Sequence, residues 1–157
     1  MRILLISSNI AMSPYPVYPL GVSMIAGALT TAGHEVRQFD FLQQNKSIDA
    51  IAQQIKQFSP ELNGISVRNI DNVNLMNEQY YIDDVIVGEG EVLAVQFANN
   101  AAKGVYPQEP LIGSQRRLTG DQINSALYDE HLIEFYLHSG NIASVQTKRG
   151  CAYKCVY

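Results

Sequence analysis

The apolar positions of the chain fall into short blocks of two alternating periods. Ile3 to Ile6 is a continuous apolar run closed by the polar turn Ser7-Ser8-Asn9, which predicts a parallel strand buried on both faces. A proline- and tyrosine-rich loop runs from Ser13 to Pro19, and Leu20, Met24, Ile25, Ala28 and Leu29 then recur at helical spacing up to Gly33. Pro19 suits the first turn of this helix, where a missing N–H costs nothing. Gly21 and Gly27 lie inside it, each about 1 kcal/mol worse than Ala, and so predict close backbone contact with sheet or ligand. His34 to Asp40 alternates as a second, more polar strand, expected at a sheet edge. Ser47 caps a second helix with Ile48, Ile51, Ile55 and Phe58 on one stripe, and Ser59-Pro60 ends it. Leu62 to Val67 reads as a third strand running into the polar segment Arg68 to Asn72, followed by a short helix from Leu75 to Ile82. Val85 to Val87 is a further strand, Gly88-Glu89-Gly90-Glu91 a turn, and Glu91 to Lys103 a helix ending at Gly104.

Strands alternating with helices over short loops require right-handed crossovers between parallel neighbours. The expected fold is therefore α/β, a doubly wound parallel sheet of flavodoxin-like order. Such sheets bind ligands beyond the carboxyl ends of their strands. That rule gathers Ser7, Ser8 and Asn9, the Ser66 to Asn72 segment and the Gly88 to Glu91 turn around one crevice. Residues 1–104 make this domain. Residues 105–141, broken by Pro107, Pro110, Gly113 and Gly120, read as a linker containing one helix from Leu127 to Leu137. Residues 142–157 open a second unit with a strand from Ile142 to Gln146.

Hydrophobic residues make up 46% of the 157 and charged residues 17%, the balance of a packed globule and not of a disordered chain. A net charge of −4 offers no electrostatic footprint for nucleic acid. The opening apolar run is too short to span a bilayer, and it leads into a polar loop instead of a signal-peptide cleavage site. Both cysteines fall within one pentapeptide, Cys151 to Cys155, which argues against a disulfide framework and for a reducing, cytoplasmic setting.

The segment Arg149-Gly150-Cys151-Ala152-Tyr153-Lys154-Cys155-Val156-Tyr157, preceded by Gln146-Thr147-Lys148, resembles the Cys-x3-Cys-x2-Cys loop of radical S-adenosylmethionine (SAM) enzymes. Together with the Val-Gly-Glu-Gly-Glu turn, it makes nearly the whole chain similar to the cobalamin-binding radical SAM family. The expectation is that the sequence breaks off inside the cluster loop, before a third cysteine. The resemblance implies that Cys151 and Cys155 are ligands of a 4Fe-4S cluster that binds SAM. It implies that Ser66, Arg68, Asn69, Gly88, Glu89, Gly90 and Glu91, with the strand-end turn Ser7, Ser8 and Asn9, line a cobalamin site facing the protein's own radical SAM barrel. In that family many members transfer methyl groups to unactivated carbon. By itself this fragment would be inactive.

The family pattern is departed from twice. The Asp-x-His-x-x-Gly loop that supplies an axial histidine in mutases and methionine synthase is absent, since Ser7 to Leu20 contains neither Asp nor His. One strand–helix unit is also missing between Asp84 and Ile86. Other readings of the same residues carry different chemistry. Leu93 stands where a dinucleotide fingerprint needs its third glycine, and Glu89 and Glu91 would repel pyrophosphate; the two glutamates serve equally as favourable charge at a helix N-terminus. A phosphorylation receiver would need acidic residues where Ser7-Ser8-Asn9 stands. Arg68 suits a salt bridge to Asp71 or Asp84, and Tyr15 and Tyr18 suit loop packing or a lid. His131 and His138 share a helix without further ligands. Lys148 and Arg149 suit stabilisation of thiolates or ordinary surface charge. The alternative function is a non-catalytic docking or substrate-selecting module that kept the fold without the corrinoid; a third reading is a small zinc or thiol-redox protein.

Overall fold

The computed structural model describes residues 1–67, 83–109, 111–113, 118–142 and 144–146. β1 (Arg2–Ser7) lies between β2 (Glu35–Asp40) and β3 (Leu62–Ser66), parallel to both, in the order β2-β1-β3. Ile3 stands opposite Val36 and Leu62, and Ser7 opposite Asp40 and Ser66. Among the described residues the more polar β2 is an edge strand, as its composition predicts.

The unbroken apolar run of β1 follows from two coverings. Ile3 and Leu5 point into a cluster with Val22, Ala26 and Leu29 of α1 (Leu20–Thr31) and Ala98 of α3 (Gly90–Ala101). Leu4 and Ile6 point the other way, toward Phe39 and toward Phe58 of α2 (Ile48–Phe58). Each such side chain contributes about 1.5–3 kcal/mol by leaving water.

Local signals end the helices where the sequence predicts. At the end of α1, Gly33 has φ +89°, its N–H donates to Thr30 O, and the His34 N–H donates to Leu29 O. These two bonds are a Schellman stop, which requires a left-handed residue that glycine fills without strain. Ser47 accepts the Ala50 N–H at 3.2 Å to start α2, and Ser59 closes it. Of the predicted α2 stripe, Ile51 and Phe58 pack inward with Ala50, while Ile48 and Ile55 are exposed. At 100° per residue those two project roughly a quarter-turn from the packed centre. Arg37 instead covers the Phe58 ring, its guanidinium carbon 4.3 Å from the centroid.

β4 (Val85–Val87) pairs with β5 (Leu111–Gly113) in a separate parallel ladder. The predicted helix from Leu75 to Ile82 lies outside the described residues. β5 and a 3-10 turn at Gly120–Gln122 occur where the sequence reading has irregular chain. A last helix, α4 (Glu130–Gly140), begins three residues later than predicted, because Asp129 caps it by accepting the Leu132 N–H at 3.0 Å. The expected strand at Ile142 to Gln146 is not formed over its described residues. A strand needs a neighbouring ladder, and here the Ser144 carbonyl accepts from the Tyr128 hydroxyl at 3.2 Å instead.

Residues 123–140 return across α1. The Leu127 N–H donates to Ser23 O at 2.8 Å, and the Ser125 carbonyl lies where a Cβ on Gly27 would approach within 2.0 Å. The close contact predicted for Gly27 is therefore with this returning backbone. Gly21 has nothing within 4 Å of its would-be Cβ. Gly27→Ala should accordingly destabilise the protein by about 1–3 kcal/mol, the cost of overpacking, whereas Gly21→Ala should stabilise it by up to about 1 kcal/mol through helix propensity. Urea unfolding of the two variants checks this; a Gly27→Ala variant as stable as wild type would refute the close approach.

Candidate functional site

The carboxyl ends of β1, β2 and β3 bring together Ser7, Ser8, Asn9, Asp40 and Ser66. Beyond the ladder, the Ser8 N–H and hydroxyl both donate to the Ser66 carbonyl, at 3.3 and 2.9 Å. Asn9 turns the chain out of the sheet and is 1% exposed, so all its polar atoms need partners. Its Oδ1 accepts the Ala11 N–H at 3.1 Å, and its Nδ2 donates to Val17 O at 3.0 Å and to the Tyr136 hydroxyl at 2.8 Å. Tyr136 donates in turn to Asp40 Oδ2 at 3.1 Å, and Asp40 Oδ1 accepts the Gln43 N–H at 2.8 Å. Burial pushes the Asp40 carboxyl above the usual carboxylate range, opposed by the hydrogen bonds from Gln43, Ser7, Tyr136 and Leu42.

Two different surfaces result. Over β1 and β2 the strand ends are filled by Tyr18, Leu42, Leu132 and Tyr136, with the Tyr18 and Tyr136 rings edge to face at 5.6 Å. Tyr18 therefore packs as a core aromatic, whereas Tyr15 is exposed. The Tyr18 and Ser23 hydroxyls lie 2.7 Å apart, Ser23 donates to Gln38 Oε1 at 2.7 Å, and Gln38 Nε2 donates to Leu127 O at 2.7 Å. Over β1 and β3 the described side chains at the strand ends are the buried Ser8 and the half-buried Ser66 and Val67. A groove of about 230 Å³, lined by Gln38, Gln43, Gln53 and Gln57 among others, belongs to β2 and α2 and not to the β1–β3 end.

The Gly88 to Glu91 turn is built from its own neighbours. Gly88 has φ +98°, a conformation that favours glycine. Glu89 Oε2 accepts the Leu118 N–H at 2.6 Å and so ties the turn to the returning chain. A Cβ on Gly90 would meet Ile25 Cδ1 at 3.4 Å, so the start of α3 lies close against α1. Glu91 is buried in the first turn of α3, where the helix dipole favours a carboxylate. His131 offers its carbonyl to Gln43 Nε2 at 3.0 Å, and His138 Nδ1 lies 2.8 Å from Glu134 O. The described residues contain no cluster of three or more His, Cys, Asp or Glu side chains that could hold a metal ion, and no helix among them is long and apolar enough to cross a membrane. Arg68, Asn69, Lys148, Arg149, Cys151 and Cys155 lie outside the described residues.

Asp40 and Tyr136 are the site-forming residues that the sequence reading passes over. Asp40 carries a signal, a charged residue ending a strand beside the strand that ends in Ser7. Tyr136 carries none, because its partners are 96 and 127 positions away.

A family model described as B12 binding domain matches residues 6–79. The matched span takes in the end of β1 (Ile6 and Ser7) and all of α1, β2, α2 and β3; B12-binding domains have a flavodoxin-like α/β fold, with which the parallel β2-β1-β3 sheet agrees. No curated protein and no solved structure matches the chain.

The buried carboxyl has a pH signature. Its pKa is raised on folding, so the folded state binds more protons than the unfolded chain between the unfolded value, about 3.9, and the higher folded value. Stability must therefore fall as pH rises through that window. Asp40→Asn should remove this component, so that the wild-type minus variant difference in urea midpoint declines from pH 4 upward until Asp40 is fully ionised. A difference that is flat or rises with pH would contradict the assignment.

Proposed function

We propose that this chain is the cobalamin-binding N-terminal region of a radical SAM enzyme of methyltransferase type, and that the corrinoid is taken at the β1–β3 end of the sheet. The observation that carries the reading is the B12-binding domain at residues 6–79, combined with strand ends that are bulky over β2 and small over β3. Tyr18 and Tyr136 fill the β1–β2 half, so in this reading a flat ring is taken over the β1–β3 half. Cobalamin would supply a methyl group carried on cobalt.

In this reading the half-buried Ser66 offers its hydroxyl to the amide-bearing rim of the ring, while the buried Ser8, donating to the Ser66 carbonyl, joins Ser7 and Asn9 in holding the loop above β1. The Gly88 to Glu91 turn, Arg68 and Asn69 complete the proposed lining. Residues 7–20 contain neither Asp nor His, so this loop offers no imidazole to the cobalt. Cys151 and Cys155, with a third thiolate, would hold the 4Fe-4S cluster that binds SAM in an adjoining barrel, in a reducing cytoplasm where thiolates persist. The second reading is a docking module without corrinoid. The dense Asn9–Tyr136–Asp40 packing over half of the strand ends favours it.

Base-off cobalamin titrated into the protein separates the two, since saturable spectral change is expected from the first and none from the second. Bulk introduced at the site should matter more than loss of an exposed aromatic. Ser66→Val should weaken binding by about fivefold to a hundredfold, the scale of a 1–3 kcal/mol overpacking cost, and Tyr15→Ala should weaken it less. Equal effects from the two would count against this crevice.

A further inference from the structure

Three stretches of chain meet at Asn9. Its backbone continues β1 from the Ser8 that bonds to β3, its amide holds the Val17 carbonyl of the loop leading to α1, and the same amide reaches Tyr136 of α4. The Tyr136 hydroxyl is used in both directions, accepting from Asn9 and donating to Asp40. Asn9 and Asp40 are each 1% exposed, as is Tyr136, so water does not stand ready to replace any of these bonds. Apolar contacts of Leu132 and Tyr136 with Tyr18 and Leu42 seat the same helix, and its far end leads to residues 142–146 and onward to the cysteine segment.

We propose that the Asn9–Tyr136–Asp40 contact is a positioning latch. By seating α4 on the ends of β1 and β2, it fixes Asn9, and with it the Ser8 to Pro19 loop, in the form that a ligand over the β1–β3 end meets. Docking of α4 and filling of that end are then one linked equilibrium. The inference rests on reading the β1–β3 end as a corrinoid site. Linkage is reciprocal: whatever factor the docked helix adds to ligand affinity, the bound ligand must add to the docking of the helix.

Tyr136 is a positioning residue in this scheme, acting on the ligand only through Asn9. Tyr136→Phe keeps the ring and its packing but removes the hydroxyl, leaving Asp40 Oδ2 without that donor and Asn9 Nδ2 with Val17 alone among the two acceptors. Leu132→Ala loosens the same helix from its apolar side without touching Asn9.

The test uses the whole 157-residue chain, hydroxocobalamin as probe, and amide exchange followed by mass spectrometry. In the free protein, Tyr136→Phe should speed exchange over residues 130–140 by about tenfold or more, the scale of a lost buried hydrogen bond, while residues 2–7 keep their protection. In wild type, hydroxocobalamin should slow exchange over residues 130–140. Both variants should bind it more weakly, in proportion to the loosening of α4. Unchanged affinity in variants whose α4 is loosened would overturn the linkage, and unchanged exchange over 130–140 in Tyr136→Phe would overturn the latch itself. Absence of saturable binding to wild type would instead remove the corrinoid reading and the linkage with it, leaving the exchange result to decide whether the latch holds α4.

Discussion

The structure depends on β1 being apolar on both faces. A strand of that kind is stable only when each face is covered, and the coverings dictate most of the remaining architecture. The α1 side is closed by α1 and α3 together, and the other by α2 and Phe39. Parallel neighbours on both edges then force the chain to cross over through these helices, which leaves all three carboxyl ends on the same side. The polar turn Ser7-Ser8-Asn9 is placed there because the apolar run stops there.

Burial at those ends creates a second requirement. Asn9 and Asp40 leave water on folding, and a buried amide or carboxyl without partners costs more than a made hydrogen bond gives back. The partners come from far along the chain, chiefly from Tyr136, and they make α4 part of the packed unit. The same residues that read as a candidate ligand site are thus divided between two tasks. Ser7 and Asn9 support the packed half over β2, whereas Ser8 and Ser66 belong to the half over β3.

Elements governed by local chemistry are legible in the sequence. Residues beside one another fix the strand run at Ile3 to Ile6, the Schellman stop at Gly33, the Ser47 cap and the turn at Gly88. The misplacements have identifiable causes. The start of α4 is set by Asp129, a cap that stands two positions after the apolar Leu127 where the helical pattern begins. β5 hides in a stretch punctuated by Pro107 and Gly113, and it is formed by pairing with β4 across more than twenty residues. The Ile142 to Gln146 run has the composition of a strand but forms none over its described residues. Ile48 and Ile55 match the helical period yet miss the contact, because periodicity gives a face and not its centre. For the site, the strand-end rule finds Ser7, Ser8, Asn9 and Ser66, but no local pattern indicates that a tyrosine 127 positions onward shares a bond with Asn9.

The bare α-carbon of Gly27, against which the Ser125 carbonyl rests, bears on where this protein can be cut. A fragment ending at Gly104 would retain every strand of the three-stranded sheet, yet it would uncover the groove along α1 and strip the lids from Tyr18, Leu42 and the Asn9–Asp40 pair. Its newly wetted surface would be an apolar scar beside stranded polar atoms, the kind of surface that invites self-association. Anyone shortening this chain for expression should therefore place the terminus after Asn141, where α4 has already been closed by a left-handed residue.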